Sequence, residues 1–471
     1  MKPSTLTALA LALAAAYPAS AQTSADVLKE LQELKAKVAE LERKLQAQEA
    51  RPAAAPPAPG AGAQWGMTPE QARELSRLAI KAEALEDSRD AAGFKQLRIS
   101  GYMDPTWLSN RNQKRAGFQF LNAVSSDGYN YDNSYFGGAQ VDFQKETDSG
   151  AKWRLTLMPN RGTDAVMGNG GVVHEASVSI PLSDLQTRLI AGHIPDWSGY
   201  EYLPATQNKL ITHNLLFDFT LPTTYTGAGL ELTRGKWILK GVLANMNASK
   251  NAQGERAPVM AYRVDYSRGE FQGFGFAGVH GKAANFSQAM LDSTSGEVIA
   301  QPNSRLDLFE FDAYFIRGDW TVQGQVSVGR QRLASITPSS GSTITEDPAS
   351  GSLRDAQWWG LSALAAYKLS PRLEAVARAD YVNNTKNGGG LLGYVVPDDR
   401  NGIGPDPSGD PHVGTKRMAL SFGLSYLLDL STTLKAEYRI DRASLPVFLD
   451  VTSGQYRKSN AVFGASVIVA F

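Results

Sequence analysis

Cysteine is absent from all 471 residues, which excludes a disulfide framework and every thiolate metal or redox centre. Net charge is absent too: 47 Lys and Arg offset 47 Asp and Glu, a balance that argues against nucleic acid as a partner. After the first two dozen residues no apolar run of about eighteen occurs, so no membrane-spanning helix is expected. Neither GxSxG nor HExxH occurs, and His174, His193, His213, His280 and His412 show no paired ligand spacing. The sequence therefore points to no enzyme, no cofactor and no metal centre. The carboxylate-rich stretch 396–412 misses the EF-hand spacing and reads as a long polar loop.

What is present begins with an export signal. Lys2 precedes a short apolar core, Leu6 to Ala16, and Ala19-Ser20-Ala21 is a small-residue cleavage site, so residues 1–21 read as a signal peptide. In segment 22–49, Val27, Leu31, Leu34, Val38, Leu41 and Leu45 recur at alternating steps of four and three, a heptad seam. In a parallel arrangement Glu30 faces Lys35 and Lys37 faces Glu42 of a neighbour, both attractive pairs. Fewer than three heptads are marginal alone, so a single amphipathic helix is the other reading of this segment. Residues 50–67 are a Pro/Ala/Gly linker. Residues 68–93 read as a short helix, opened by Thr68 as N-cap, Pro69 at the first helical position and Gln71 completing a capping box.

From residue 94 the apolar period changes to two. Trp153, Leu155 and Leu157 alternate with Lys152, Arg154 and Thr156; Ala375, Ala377 and Ala379 alternate with Glu374, Arg378 and Asp380; Leu434, Ala436 and Tyr438 alternate with Lys435, Glu437 and Arg439. A soluble sandwich alternates as well. Here the polar face is densely charged, and aromatic residues flank the apolar stretches at both ends. The connections between sixteen such segments, from 97–107 to 458–471, also alternate between tight turns and long loops. The turns include TDSG at 147, PLSD at 181 and DLS at 429; the loops include 108–133, 195–222 and 382–415. The expectation is an all-β fold, a 16-stranded antiparallel transmembrane β-barrel over 94–471, with an N-terminal periplasmic coiled coil and short helix. Closure follows because a sheet edge in hydrocarbon would leave backbone groups unpaired.

The chain stops on NAVFGASVIVAF. Phe471, Val469, Val467, Ala465 and Phe463 share one face; Ala470, Ser466 and Gly464 share the other, with Ile468 and Val462 as apolar exceptions. A terminal Phe behind alternate apolar residues resembles the assembly signal of Gram-negative outer-membrane barrels, which implies that Phe471 is read by the barrel-assembly machinery. Coiled coil, linker and sixteen strands together resemble the phosphate-selective porin superfamily, whose members are commonly trimers. ISGYMDPTW at 99–107, AGFQFLN at 116–122, DNSYFGGAQVDFQKETDSG at 132–150 and GHIPDWSGYE at 192–201 resemble a porin-like family of exported bacterial proteins known only as a domain of unknown function. The likeness covers nearly the whole mature chain. The arginine ladder and lysine cluster of phosphate-selective members have no residue-by-residue counterpart, so that selectivity is not implied.

The resemblance implies a homotrimer in outer-membrane lipid that passes small hydrophilic solutes. The seam Leu31, Leu34, Val38, Leu41 and Leu45 would assist trimerisation or reach peptidoglycan. In porins of this kind the third long loop folds inward. Loop 195–222 carries Asp196, Trp197, Tyr200, Glu201, Tyr202, Lys209, His213 and Asp218, a set suited to a pore constriction; an outward loop packed by its own side chains is the other reading. Wall candidates are Arg98, Lys152, Arg154, Arg188, Lys240, Arg263, Arg378, Lys435 and Arg439 against Asp142, Glu175, Glu231, Asp265, Glu310, Asp312, Glu374, Asp380, Glu437 and Asp441, nearly balanced in sign. They either face the solute path or pair across the ladder as a scaffold.

Overall fold

The structure, a computed structural model, describes residues 69–91, 94–120, 137–159, 172–222, 224–246, 258–285, 290–291, 298–300, 303–334, 355–386 and 414–471. The signal segment, the heptad seam and the linker lie outside the described residues. The chain divides into two units, Met1–Ala82 and Glu83–Phe471. Helix α1 runs Pro69–Ala91, inside the segment expected for it, and exposes Leu75, Leu78 and Ile80. Among the described residues no helix is long and apolar enough to cross a membrane.

The second unit is built on one closed antiparallel sheet, with two small hairpins apart from it, Met290–Leu291 with Val298–Ala300 and Phe448–Asp450 with Gln455–Arg457. Strand β1 has two segments, Leu97–Met103 and Thr106–Asn110, broken at Asp104-Pro105, where proline can donate no ladder hydrogen bond. Strand β2 also has two segments, Arg115–Gln119 and Ala139–Glu146, each paired with its half of β1. Then follow β3 (Lys152–Leu157), β4 (Val173–Asp184), β5 (Thr187–Pro195), β6 (Thr224–Arg234), β7 (Trp237–Met246), β8 (Val259–Ser267), β9 (Gln272–Ala284) and β10 (Asn303–Arg317). The rest are β11 (Trp320–Gln331), β12 (Ala356–Ser370), β13 (Leu373–Lys386), β14 (Lys416–Leu427), β15 (Thr432–Ala443) and β16 (Ser459–Ala470). Each pairs with its sequence neighbour, and β16 returns to β1 through Tyr102–Ala470 and Thr106–Ser466. Sixteen strands close without a free edge.

The pleat sorts the side chains as the alternation requires. On β13 Arg378 and Asp380 point inward and are buried while Ala377 and Ala379 are exposed; on β15 Lys435, Glu437, Arg439 and Asp441 are inward. The outer face carries two aromatic bands. Trp237 packs on Tyr266 and Trp320 on Tyr367 beside the short turns; Trp359 packs on Tyr381 and Trp107 on Phe463 toward the long connections. Phe471 is 64% exposed on this surface, and its backbone exchanges two 3.0 Å hydrogen bonds with Gly101.

Two details correct the sequence reading. The expected turn PLSD at 181 is strand: β4 continues to Asp184, and the reversal is Leu185–Gln186, because the Asp184 carboxylate accepts from the Gln186 and Thr187 N–H groups at 2.8 and 2.6 Å. The expected long loop 108–133 contains a tight hairpin, since residues 115–119 turn back at once along β1.

Candidate functional site

Segment 196–222 enters the barrel and packs on inward side chains from much of the wall, among them Tyr225, Arg263, Gln325, Ser362, Arg378 and Glu437. Its own local structure is slight: a 3₁₀ turn (Ala205–Gln207) and α2 (Leu215–Phe219), capped by the Asn214 side chain accepting from the Phe217 N–H at 2.8 Å. The wall supplies what the loop backbone lacks. Glu437 accepts the N–H groups of Ile211 and Thr212 at 2.7 and 2.8 Å and the Thr212 hydroxyl at 2.6 Å. Arg439 donates to the His213 carbonyl at 2.8 Å and to Asp441 at 3.1 Å. Lys435 donates to the Ala205 carbonyl at 2.8 Å, and Lys209 of the loop pairs with Glu374 at 2.8 Å.

Arg378 is the centre of this set. Its Nε donates to Asp380 at 3.0 Å, Nη1 to Glu201 at 2.8 Å and the Thr212 carbonyl at 2.7 Å, and Nη2 to the Thr212 hydroxyl at 3.1 Å and the His213 carbonyl at 2.8 Å. All five guanidinium donors are thereby used. At the loop's entry Arg263 donates to the Trp197 carbonyl at 2.6 Å while pairing with Asp312 at 2.7 Å and Asp265 at 2.8 Å.

Apolar knobs complete the docking. Leu210 and Leu216 lie over Gly423 and Gly360 of the wall, where any added methyl group would collide with their Cδ2 atoms. Ile468, Tyr102 and Met158 of the wall pack with Leu203, and Val462 and Leu108 with Ile211. The two apolar exceptions on the last strand's inner face thus meet the loop.

Burial shifts the acidities of several loop groups, His213 and Asp196 among them. Burial holds His213 down at about 4, although its Nε2 donates to the Tyr202 carbonyl at 2.9 Å. Burial pushes the Asp196 carboxyl up to about 6, against hydrogen bonds from the Tyr225 hydroxyl at 2.6 Å and the Ser198 N–H at 3.1 Å.

The space left beside the loop lies along β2–β4. A cavity of about 100 Å³ is bounded on the loop side by Asp196, Glu201, Tyr202, Gln207 and Phe217, and on the wall side by Gln140, Arg154, Thr156, His174 and Glu175. It shares Arg154 and Glu175 with an open vestibule of about 930 Å³ at the short-turn end, where Arg98 and Lys152 also lie. Arg154 bridges Asp142 at 2.8 Å and Glu175 at 3.2 Å.

Of the constriction candidates, Asp196, Glu201 and Tyr202 line the small cavity. Trp197, Tyr200, Lys209, His213 and Asp218 do not: Trp197 stacks near Tyr225, Tyr200 reaches Ser362 at 2.5 Å, and Asp218 is buried in α2. Of the wall candidates, Arg98, Lys152 and Arg154 border the open space. Asp142 lies beneath Arg154, and Arg188 is buried on the carbonyls of Gly150 and Ser179. Arg263, Asp265, Glu374, Arg378, Lys435, Glu437 and Arg439 belong to the side that receives the loop. Gln140, His174, Gln207 and Phe217 were not singled out from the sequence; only Gln140 had a signal, as a polar position on an alternating strand.

A closed sixteen-stranded barrel, aromatic-banded outside and occupied by an inward loop, defines the porin-like class of β-barrels. The chain belongs to the family described as "Protein of unknown function (DUF3138)", which matches residues 2–471. In fold it is similar to the outer-membrane expressed OmpT of Vibrio cholerae, at TM-score 0.50 and 9% identity over 80% of this chain and 97% of that one. An anion-selective porin from Comamonas acidovorans matches at TM-score 0.48 and 10% identity, over 80% of this chain and 99% of that one. The outer membrane channel DcaP of Acinetobacter baumannii matches at TM-score 0.48 and 11% identity, over 80% and 97%. No curated protein matches the chain in sequence.

Proposed function

We propose that the protein is a porin of the Gram-negative outer membrane, a passive route for small hydrophilic solutes. The observation that carries this reading is that the about 930 Å³ vestibule and the about 100 Å³ cavity beside the docked loop share Arg154 and Glu175 in their walls. The eyelet of this route lies between the loop's Asp196, Glu201 and Tyr202 and the wall's Arg154 and Glu175. Asp142 and Glu175 outnumber Arg154 there, so the preference is weak and toward cations. Phe471 acts as the assembly signal, residues 1–21 direct export, and the 22–49 seam helps three copies associate on the periplasmic side. Planar-bilayer recording of the refolded mature chain tests the reading: steady ohmic steps are expected, and their absence across many insertions overturns it. The breadth of the loop's wall contacts supports a second reading, a plugged barrel that anchors the periplasmic segment to the envelope; that reading gains from the same absence of steps.

A further inference from the structure

The barrel's outer surface at the long-connection end is uneven in charge. Outward positions on β9–β15 carry Lys282 beside Arg305, Arg330 beside Asp307, then Lys416 and Arg442. The matching outward positions on β5–β8, His193, Thr226, Asn245 and Met260, carry no lysine or arginine. A groove of about 640 Å³ opens on the basic arc between β10 and β13. Its floor is Phe309, Val328 and Trp359, exposed by 54%, 51% and 43%; Arg305, Arg330 and Lys386 rise above it.

Each of the two arginines is braced by one carboxylate and stays largely exposed. Asp307 accepts from Arg305 at 2.9 Å, Asp355 accepts from Arg330, and the arginine side chains stay 67% and 57% exposed. Lys386 has no carboxylate partner among the described residues. Three cations outnumber the carboxylates Asp307 and Asp355 at the groove, and its exposed apolar floor lies on the outer face of the wall, the face suited to lipid. Such groups stand at headgroup depth above an apolar band, where a phosphate offers strong, partly bidentate hydrogen bonds. From β10 to β13 is three strand spacings, about 14 Å, more than one phosphate spans.

We propose that this groove binds a lipid whose headgroup bears two phosphates, with Arg305, Arg330 and Lys386 on the phosphates and acyl chain along Phe309, Val328 and Trp359. The site is independent of solute passage, because it lies on the opposite face of the wall from the loop. The test is native mass spectrometry of the refolded mature chain, released from zwitterionic nanodiscs doped with diphosphoryl or monophosphoryl lipid A. Diphosphoryl lipid A is expected to be retained at least about tenfold more tightly. R305Q/R330Q/K386Q should reduce it to the monophosphoryl level, while K236Q/R372Q in the short turns should change nothing. Should the triple variant fail to show the folded barrel's heat-modifiable mobility, R330Q alone is expected to lose about threefold. Equal retention of the two lipids, or retention indifferent to these substitutions, overturns the proposal. Displacement of the lipid by millimolar inorganic phosphate also overturns it, in favour of a free-anion site. Bilayer conductance of R305Q/R330Q/K386Q is expected to match the parent, so failure here is separable from failure of the porin reading.

Discussion

Arg378→Leu removes the guanidinium that joins Glu201 and Asp380 to the carbonyls of Thr212 and His213. Breaking a buried ion pair by deleting one partner costs about 3–5 kcal/mol. The lower end applies, because Glu201 keeps the Asn214 N–H at 2.6 Å and Asp380 keeps the Ser362 hydroxyl at 2.6 Å. About 3 kcal/mol is roughly two powers of ten in the ratio of docked to undocked loop. Glu437, Arg439 and Lys435 still hold the segment, so partial release is expected rather than expulsion. In planar bilayers Arg378→Leu should show larger or flickering steps, and the loop should become accessible to protease in detergent. Adding Glu201→Leu removes one stranded carboxylate and should recover more than half of the lost protection. Steps, noise and protection indistinguishable from the parent in Arg378→Leu would refute the assignment of this arginine as the central anchor.

Other outcomes follow from the same geometry. Gly423→Val puts bulk where Leu210 sits, at a cost of about 1–3 kcal/mol; thermal unfolding should report the loss, and Leu210→Ala in the same chain should restore part of it. Arg154→Ser leaves Asp142 and Glu175 without their cation, so the reversal potential in a salt gradient should move toward the cation limit; no movement would place the solute path elsewhere. His213, held at about 4 against an ordinary 6.5, contributes to docking fully above pH 6.5 and loses that contribution as pH falls toward 4. Asp196, held at about 6 against 3.8, contributes fully below pH 3.8 and loses that contribution as pH rises toward 6. The two oppose each other: the parent's channel noise should vary little between pH 4 and 6.5, Asp196→Asn should become noisier on acidification, and His213→Gln on alkalinisation. Deleting residues 22–64 should weaken trimers in detergent, read as oligomer mass; an unchanged mass would leave the heptad seam without a part in assembly.

The strands were legible because a pleated wall between two media writes a period of two directly into the sequence, as Glu374, Arg378 and Asp380 against Ala375, Ala377 and Ala379 illustrate. The turn after β4 was misread because Pro181 drew the reversal to itself, whereas Asp184 fixes it through two N–H groups. Which inward charges border open space was not legible. Alternation assigns Arg378 and Arg154 alike to the inner face, but the partner that occupies Arg378 is Glu201, 177 residues away in sequence. Beside the family resemblance, Ile468 and Val462 were an advance sign of the docked loop: apolar residues on a face meant for water imply that something apolar covers them.

Those two residues also tie the loop to the closure of the barrel. Leu203 and Ile211 of the inward segment rest on both sides of the seam where β16 meets β1, against Ile468 and Tyr102 and against Val462 and Leu108. Half of that resting place belongs to β16 and half to β1. The segment therefore rests on a floor that is whole only in the closed cylinder, and a register slip at the closure made by Gly101 and Phe471 would part the two halves beneath it.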